Sequence, residues 1–496
     1  MDIPDPALIF LIGPSGSGKS TWAELRFLTE EIVSSDRLRA VVGSGESDLD
    51  ASDDAFDLVR RIIVARLGRH LTTVVDTMGL DTDLRRWAGA VAREQGVPTV
   101  LVIFDTPLAV CRGRNRMRAR PVPARALDSQ HRRARNVDGE LSEEAWDHVL
   151  RVTGTEATDA VRVPVGPPVE GHSAGGDLDF VLHISRFEWD PPLGTTLADI
   201  ARTAEDVGFS GISVMDHLVQ IPQVGRQWEN MPEALGTIGF LLGATRSIEV
   251  GPLVLNATLR NPALTANALA SLDAVSGGRV FCGIGAGWYD AEEAAYGYEP
   301  STTRQRLDRL EDAVRMFPLM WGKGAATFRG KTASVTEAMC YPRPAHHIRL
   351  IVGGGGEART LRIAAEHADA INLIGGIDVV ARKLPVLHRH CVDVGRDPAE
   401  VDVTVLDVAL VGANRREVTD LVEGHRSRSS AAAYRSRVGA GTPDQLATRY
   451  LELGEAGVST VFVTMPNLTG PGEVESFGSV IAAFRSARRA EAESAT

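Results

Sequence analysis

The strongest constraint in this chain is a rhythm. Between residues 180 and 466, eight short apolar runs recur: "FVLHISRF", "GISVMDH", "IEVGPLVLNA", "VFCGIGAGW", "LRLIVGG", "AINLIG", "VDVTVLDVALV" and "STVFVTMP". Each is followed by a helical segment such as "LTANALASLDAV" or "TRQRLDRLEDAVRMF". Apolar runs of strand length that alternate with amphipathic helices make a parallel sheet covered by those helices. Eight such units over about 310 residues fit the arithmetic of a (β/α)8 barrel, in which polar residues at the C-terminal strand ends build the site. The Arg/Ser/Ala-rich stretch 413–440 reads as an insertion after the seventh strand.

The first third has a different content. From residue 8 to about 165, "ALIFLI", "TTVVDT" and "PTVLVIFD" alternate with helical stretches, the βαβ pattern of a second parallel sheet. "PVGPPVEGHSAGGDLD", residues 164–179, is Pro/Gly-rich without periodicity and reads as a linker. The expected organisation is an α/β P-loop domain over 1–165, a linker over 166–178 and the barrel over 179–496.

"GPSGSGKS", Gly13 to Ser20, fits G-x-x-x-x-G-K-[ST] with a strand before it and a helix after it. Backbone N–H groups around Gly13, Ser15, Gly16, Ser17, Gly18 and Thr21 are expected to close on the phosphates of ATP. Lys19 would add a point charge and the Ser20 hydroxyl would take Mg²⁺. Asp76, ending "TTVVD", would reach that metal through water. A phosphotransferase also needs a residue to orient an acceptor hydroxyl and cations to hold the moving charge. "SSDRLR" offers Asp36 and Arg39. "CRGRNRMRAR" offers Arg112, Arg114, Arg116, Arg118 and Arg120 as a phosphate-closing lid.

These motifs, with "VVDTMG", "FDTPLAVCRGRNRMR" and "AWDHVLRV" in the same order, resemble the 5′-hydroxyl polynucleotide kinase branch of P-loop kinases. The resemblance implies Asp36 as general base, Arg39 on the acceptor phosphate, and Arg116 and Arg120 on the donor phosphates. Its acceptor would be a nucleic-acid 5′ end or a small alcohol. Residues 1–165 hold 22 Lys+Arg and 25 Asp+Glu, a balance of −3, with the basic residues clustered in the lid.

In the barrel, "SVMDH" places Asp216 and His217 at the mouth, His217 being able to exchange a proton near neutral pH. "IVGGGGEARTL" carries Gly353, Gly354, Gly355 and Gly356 ahead of a helix, with Arg359 and Thr360 in its first turn, a cradle for a phosphate-bearing cofactor. "AEDVGFSGISVMDH", "RNPALTANALASLDAVSGGRVFCGIGAGW" and "GGGGEARTLRIAAEHADAINLIG" resemble the luciferase-like superfamily, and "DHLVQIPQVG" resembles its branch using the deazaflavin coenzyme F-420.

That resemblance implies hydride exchange at C5 of the deazaflavin, His217 as acid/base, Asp216 on the cofactor and the glycine loop on its phosphate. It also implies a non-proline cis bond at Leu253-Val254 in strand three, with Leu253, Val254 and Asn256 expected to bind the cofactor. The glycine loop by itself would suit FMN equally, which leaves a flavin monooxygenase fused to an ATP-binding module as the alternative. Trp288 stands where the group's sugar-phosphate dehydrogenases carry a glutamate, and Ile221 where they carry an aromatic residue. A reductase of an activated double bond or imine is therefore expected.

Composition sets the remaining bounds. With 44% hydrophobic and 24% charged residues the chain is an ordinary globular protein, and its net charge of −12 argues against nonspecific coating of nucleic acid or membrane. Cys111, Cys282, Cys340 and Cys391 form no CxxC pair. No apolar run approaches the ~20 residues of a membrane span, and Asp2 and Asp5 sit where a secretory signal is basic. A cytoplasmic enzyme is expected, with a small-molecule substrate at the barrel, a nucleoside triphosphate at the loop, no membrane partner and a homodimer as a candidate assembly.

Overall fold

The computed structural model describes residues 3–46, 48–116, 122–141, 144–153, 178–189, 192–426, 429–435 and 437–494. The linker expected over 166–178 lies outside them except for Leu178, as do Arg118 and Arg120. Two compact units result. The first is built on residues 1–165, with 322–327 and 336–339 grouped with it, and the second on the remainder.

The first unit is a five-stranded parallel sheet of β1 (Leu8–Ile12), β2 (Ile32–Ser34), β3 (Thr73–Asp76), β4 (Thr99–Asp105) and β5 (His148–Thr153), ordered β2-β3-β1-β4-β5. β1 is central and wholly buried because both its faces are covered. Leu8, Phe10 and Ile12 pack with Val59, Ile63 and Leu67 of the helix Ser52–Leu67, whereas Ile9 and Leu11 pack with Trp22 and Phe27. Two-sided burial is why "LIFLI" is apolar throughout rather than alternating.

The second unit is the expected barrel. Its strands are β6 (Asp179–Ile184), β7 (Gly211–Val214), β8 (Glu249–Pro252), β9 (Leu255–Asn256) and β10 (Cys282–Gly285). A separate two-stranded sheet follows, β11 (Ala326–Arg329) with β12 (Ser334–Ala338). β13 (Leu350–Gly353), β14 (Ala370–Ile374), β15 (Asp402–Val411), β16 (Gly439–Gly441) and β17 (Val458–Thr464) complete it. The parallel order is β8-β7-β6-β17-β15-β14-β13-β10-β9, with β16 attached to β15. β8 and β9 are one barrel strand interrupted by the cis bond Leu253-Val254. A bridge between Val250 and Val280 brings the first segment against the β10 side. Eight staves result, one for each apolar run, and the stretch between β15 and β17 carries the helices Arg415–His425 and Ala431–Arg435.

Period-two alternation sorts the staves' side chains into outside and inside. Phe180 points outward to the rings of Tyr450, Phe477 and Phe484, while Val181 joins Phe281, Ile351, Ala370 and Phe462 in an apolar interior layer. Inward positions two residues further along are polar. His183 bonds Ser213 at 2.9 Å, Asn372 bonds Thr404 at 2.9 Å, and Thr464 bonds Ser185 at 2.9 Å. The interior therefore turns from dry to hydrogen-bonding toward the end where Asp216, His217 and Gly353 to Gly356 emerge.

Candidate functional site

Two sites follow from these scaffolds, one in each unit. In the first unit the chain leaves β1, turns through Gly13 to Gly18 and enters the helix Lys19–Glu24. Gly16 and Gly18 have φ of 80° and 101°, which side chains with a Cβ resist. A Cβ on Gly16 would also stand 2.9 Å from the Cys111 carbonyl. Other atoms fix the loop's shape: Gly13 N–H donates to Met78 O, Ser17 N–H to Pro14 O, and Ser15 N–H to Gln130 Oε1.

Lys19 is buried at 8% exposure, its ammonium donating to Gly13 O at 2.7 Å and Pro14 O at 3.3 Å. Ser20 and Thr21 lie exposed on the first turn. Asp76 is buried close by, and burial pushes its pKa up, opposed by the Lys19 charge and a Ser20 hydrogen bond. A buried cation, a hydroxyl and a carboxylate thus converge at a helix N-terminus, a donor set that fits a metal-bound polyphosphate. Among the described residues no group of three or more His, Cys, Asp or Glu could hold a metal.

Asp36 and Arg39 lie on the helix Ser35–Val42, and Arg39 Nη2 meets Asp36 Oδ1 at 2.5 Å while its Nε donates to Glu46 O. Of the arginine run, Arg116 is exposed at the end of the helix Leu108–Arg116. Arg112 is held bidentately by Asp128. Among the described residues of the run, Arg114 reaches the loop, donating toward Gly16 O and Ser17 O at 3.5 and 3.4 Å. Gln130 likewise meets the loop, and nothing in its own stretch of sequence announces it.

At the barrel mouth His217 Nδ1 lies 3.0 Å from Glu292 Oε2. Glu292 is fully buried, and its other oxygen accepts the N–H groups of Leu218 and Val219. Burial would raise its pKa, but the His217 and backbone hydrogen bonds outweigh that and hold it below the usual carboxylate range. An ionised Glu292 fixes His217 with Nδ1–H donating and Nε2 available for exchange. Asp216 is buried too, accepting from Asn256 N–H and bidentately from Arg260 Nε and Nη2. Asn256 Nδ2 donates to Glu293, which Arg306 grips with two nitrogens.

The cis peptide bond Leu253-Val254 lies between β8 and β9, two residues before Asn256. A Cβ on Gly285 or Gly353 would come within 2.8 or 2.7 Å of Val254's methyl groups, so these glycines make room for Val254. Gly354 continues the loop with φ of 127°, its N–H donating to Asn372 O. Gly355 and Gly356 are exposed, and Thr360 is buried at the first turn of the helix Thr360–His367. Lys383 donates to Gly355 O. Arg359 turns the other way: its guanidinium is shared between Asp308 and Glu311, each at 2.8 Å. An exposed glycine backbone, the apolar side chain of Val254 and an oriented imidazole fit a planar cofactor carrying a phosphate.

Together these features define a (β/α)8 barrel with a histidine bound to a buried carboxylate at its mouth, and a P-loop α/β unit. The chain belongs to the luciferase-like monooxygenase family, whose model matches residues 191–439, half of the sequence. An AAA-domain model matches residues 8–137. Among curated relatives, the F420-dependent glucose-6-phosphate dehydrogenase of Kineococcus radiotolerans is 31% identical over 217 residues, 42% of this chain and 62% of the relative. The protein of that name from Microbacterium testaceum is 30% identical over 216 residues, 43% and 62%. The chain thus spans 62% of the length of these relatives. Among solved structures, an F420-dependent secondary alcohol dehydrogenase in complex with an F420-acetone adduct superposes with a TM-score of 0.54 at 20% identity, over 62% of this chain and 99% of that one. At that identity the likeness speaks for the fold.

Proposed function

We propose that the barrel is a deazaflavin (coenzyme F-420)-dependent oxidoreductase of a small organic substrate, and that the P-loop unit is an ATP- and Mg²⁺-dependent phosphotransferase. The observation that carries the barrel reading is His217 clamped by a buried, ionised Glu292 at the C-terminal mouth. The F-420 dependence in the relatives' names supports the choice of cofactor.

When bound, the deazaflavin supplies two-electron hydride chemistry. The chain's own residues do the rest. Glu292 holds the ring so that Nε2 gives or takes the substrate proton. Asp216 holds Asn256 just past the cis peptide of strand three, whose Val254 would offer an apolar surface to a ring system. Gly355 and Gly356 would present backbone donors, and Thr360 a hydroxyl donor, to a phosphate.

In the P-loop unit Lys19 and the loop N–H groups would grip the β- and γ-phosphates, with Ser20 and, through water, Asp76 holding Mg²⁺. Asp36 would accept the acceptor's hydroxyl proton, Arg39 being released to an acceptor phosphate. Arg114 and Arg116 would screen the transferring group. The order of the N-terminal sequence motifs favours a 5′-hydroxyl nucleic-acid end as acceptor, with a small alcohol as the simpler substrate.

The two activities separate by mutation. Lys19→Ala should abolish ATP turnover while leaving deazaflavin affinity within about twofold. His217→Ala should slow hydride transfer by ~10²-fold and leave ATP turnover intact. Undiminished ATP turnover in the first variant, or less than about a threefold loss in the second, would overturn the corresponding assignment.

A further inference from the structure

We propose that the P-loop unit carries a second anion site, a phosphate-binding concavity between the helix Ala124–Arg135 and the segment that follows β3. It is separate from the triphosphate loop and does not depend on the transferase reading.

One face of a helix supplies most of its polar groups. Ser129, Arg132, Arg133 and Asn136 recur at spacings of three and four, which puts them on one side of the helix Ala124–Arg135 and its C-terminal cap. With Leu80, Val137 and Glu140 they line a cavity of about 360 Å³, within the range of roughly 300–1,000 Å³ that small-molecule sites occupy. Leu80 and Val137 belong to the hydrophobic core, so the polar groups are mounted on packed elements.

Hydrogen bonds fix the two walls. Arg85, fully buried, donates to Gly79 O and to both Glu140 and Glu144, tying the segment after β3 to residues beyond the helix Ala124–Arg135. Arg133 Nη2 donates to Leu80 O at 2.9 Å and joins one wall to the other. The same two elements brace the triphosphate loop, since Gly13 N–H donates to Met78 O and Ser15 N–H to Gln130 Oε1.

Charge then selects the ligand. Arg112 is taken up by Asp128, Arg39 by Asp36 and Arg85 by Glu140 and Glu144, whereas among the described residues neither Arg132 nor Arg133 has a carboxylate within ion-pair distance. Nor, among those residues, do the side chains of Ser129, Arg132 and Asn136 have a hydrogen-bond partner. Two guanidinium groups, a hydroxyl and a carboxamide therefore converge with unused donors, a set that suits a tetrahedral oxyanion. Glu140 is the carboxylate among the lining residues, and one of its oxygens already accepts from Thr82 Oγ1 and from Arg85 Nη2, whose charge offsets its own. The C-terminal end of the helix adds only about half a negative charge, less than the two guanidinium charges together. A phosphate received here breaks no ion pair.

That phosphate has two possible sources, a free phosphate or phosphomonoester and an internal phosphodiester of a nucleic-acid strand. The full chain is titrated with inorganic phosphate, followed by phosphorus NMR, as Lys19→Ala and as the double variant Lys19→Ala, Arg132→Ala. Phosphate should bind the first, in which the loop has lost its cation, and at least ~10-fold more weakly to the second. In parallel, wild type and Arg132→Ala are titrated by fluorescence anisotropy with a labelled short single strand bearing a 5′-hydroxyl, over a series of salt concentrations. If a phosphodiester is the occupant, Arg132→Ala flattens the slope of log K against log salt by about 0.7, one phosphate's share for a single strand. Arg132-dependent phosphate binding with an unchanged slope assigns the site to free phosphate or a phosphomonoester. No phosphate binding by Lys19→Ala, or binding indifferent to Arg132→Ala, combined with an unchanged strand slope in variants that melt like wild type, would overturn the site. None of these readouts needs ATP turnover, so a failed transferase reading leaves them intact.

Discussion

His217 and Glu292 are 75 residues apart in sequence and 3.0 Å apart in space. The histidine was legible because it ends a strand next to an aspartate, a place where barrels put chemistry. Its partner was not, since one sequence gives no pairing between a strand end and a helix two units later. A usable signal did exist: "DAEEAA" sets two adjacent glutamates just past the fourth strand, and both are buried, which carboxylates tolerate only when paired. Arg260, the clamp on Asp216, went unnoticed for the same reason. If Glu292 is a positioning residue, Glu292→Gln should cut hydride transfer by ~10-fold with substrate KM nearly unchanged, because it disturbs orientation rather than binding. Glu292→Ala should cost more than Glu292→Gln. An equal loss in both, accompanied by a lowered melting temperature, would mark Glu292 as merely structural.

Elements were easier to read than contacts. Every barrel stave coincides with an apolar run, because strands covered on both sides leave a continuous hydrophobic record. The edge strands β2 and β5 left a weaker trace, and β16 fell within a stretch that reads as an insertion. The arginine run shows the limit of periodicity: alternation suggested a lid, but only the fold selects Arg114 for the loop and Arg112 for Asp128.

The polar layer inside the barrel carries its own prediction. Burial pushes the His183 pKa down to about 4 from an ordinary 6.5, so the folded chain keeps this ring neutral. Between those values the unfolded chain binds a proton that the folded chain refuses, and stability must fall as pH drops from 6.5 to 4. His183→Gln should flatten that part of a melting-temperature profile for the barrel transition. An unchanged slope would show that His183 is protonated in the fold or that other groups dominate.

At the scale of the molecule, two sites of different chemistry share one chain. The contiguous phosphate loop could be recognised from eight residues. The barrel mouth had to be assembled from three strand ends and a short helix, so its outline was readable and its wiring was not. No described helix is long and apolar enough to cross a membrane. The central claim is the identity of the barrel's cofactor, and it is tested most directly by titrating the full chain separately with oxidised coenzyme F-420 and with FMN, following absorbance and fluorescence. Saturable binding of the deazaflavin with no comparable binding of FMN is the predicted result. Binding of FMN in preference, or of neither, would contradict it.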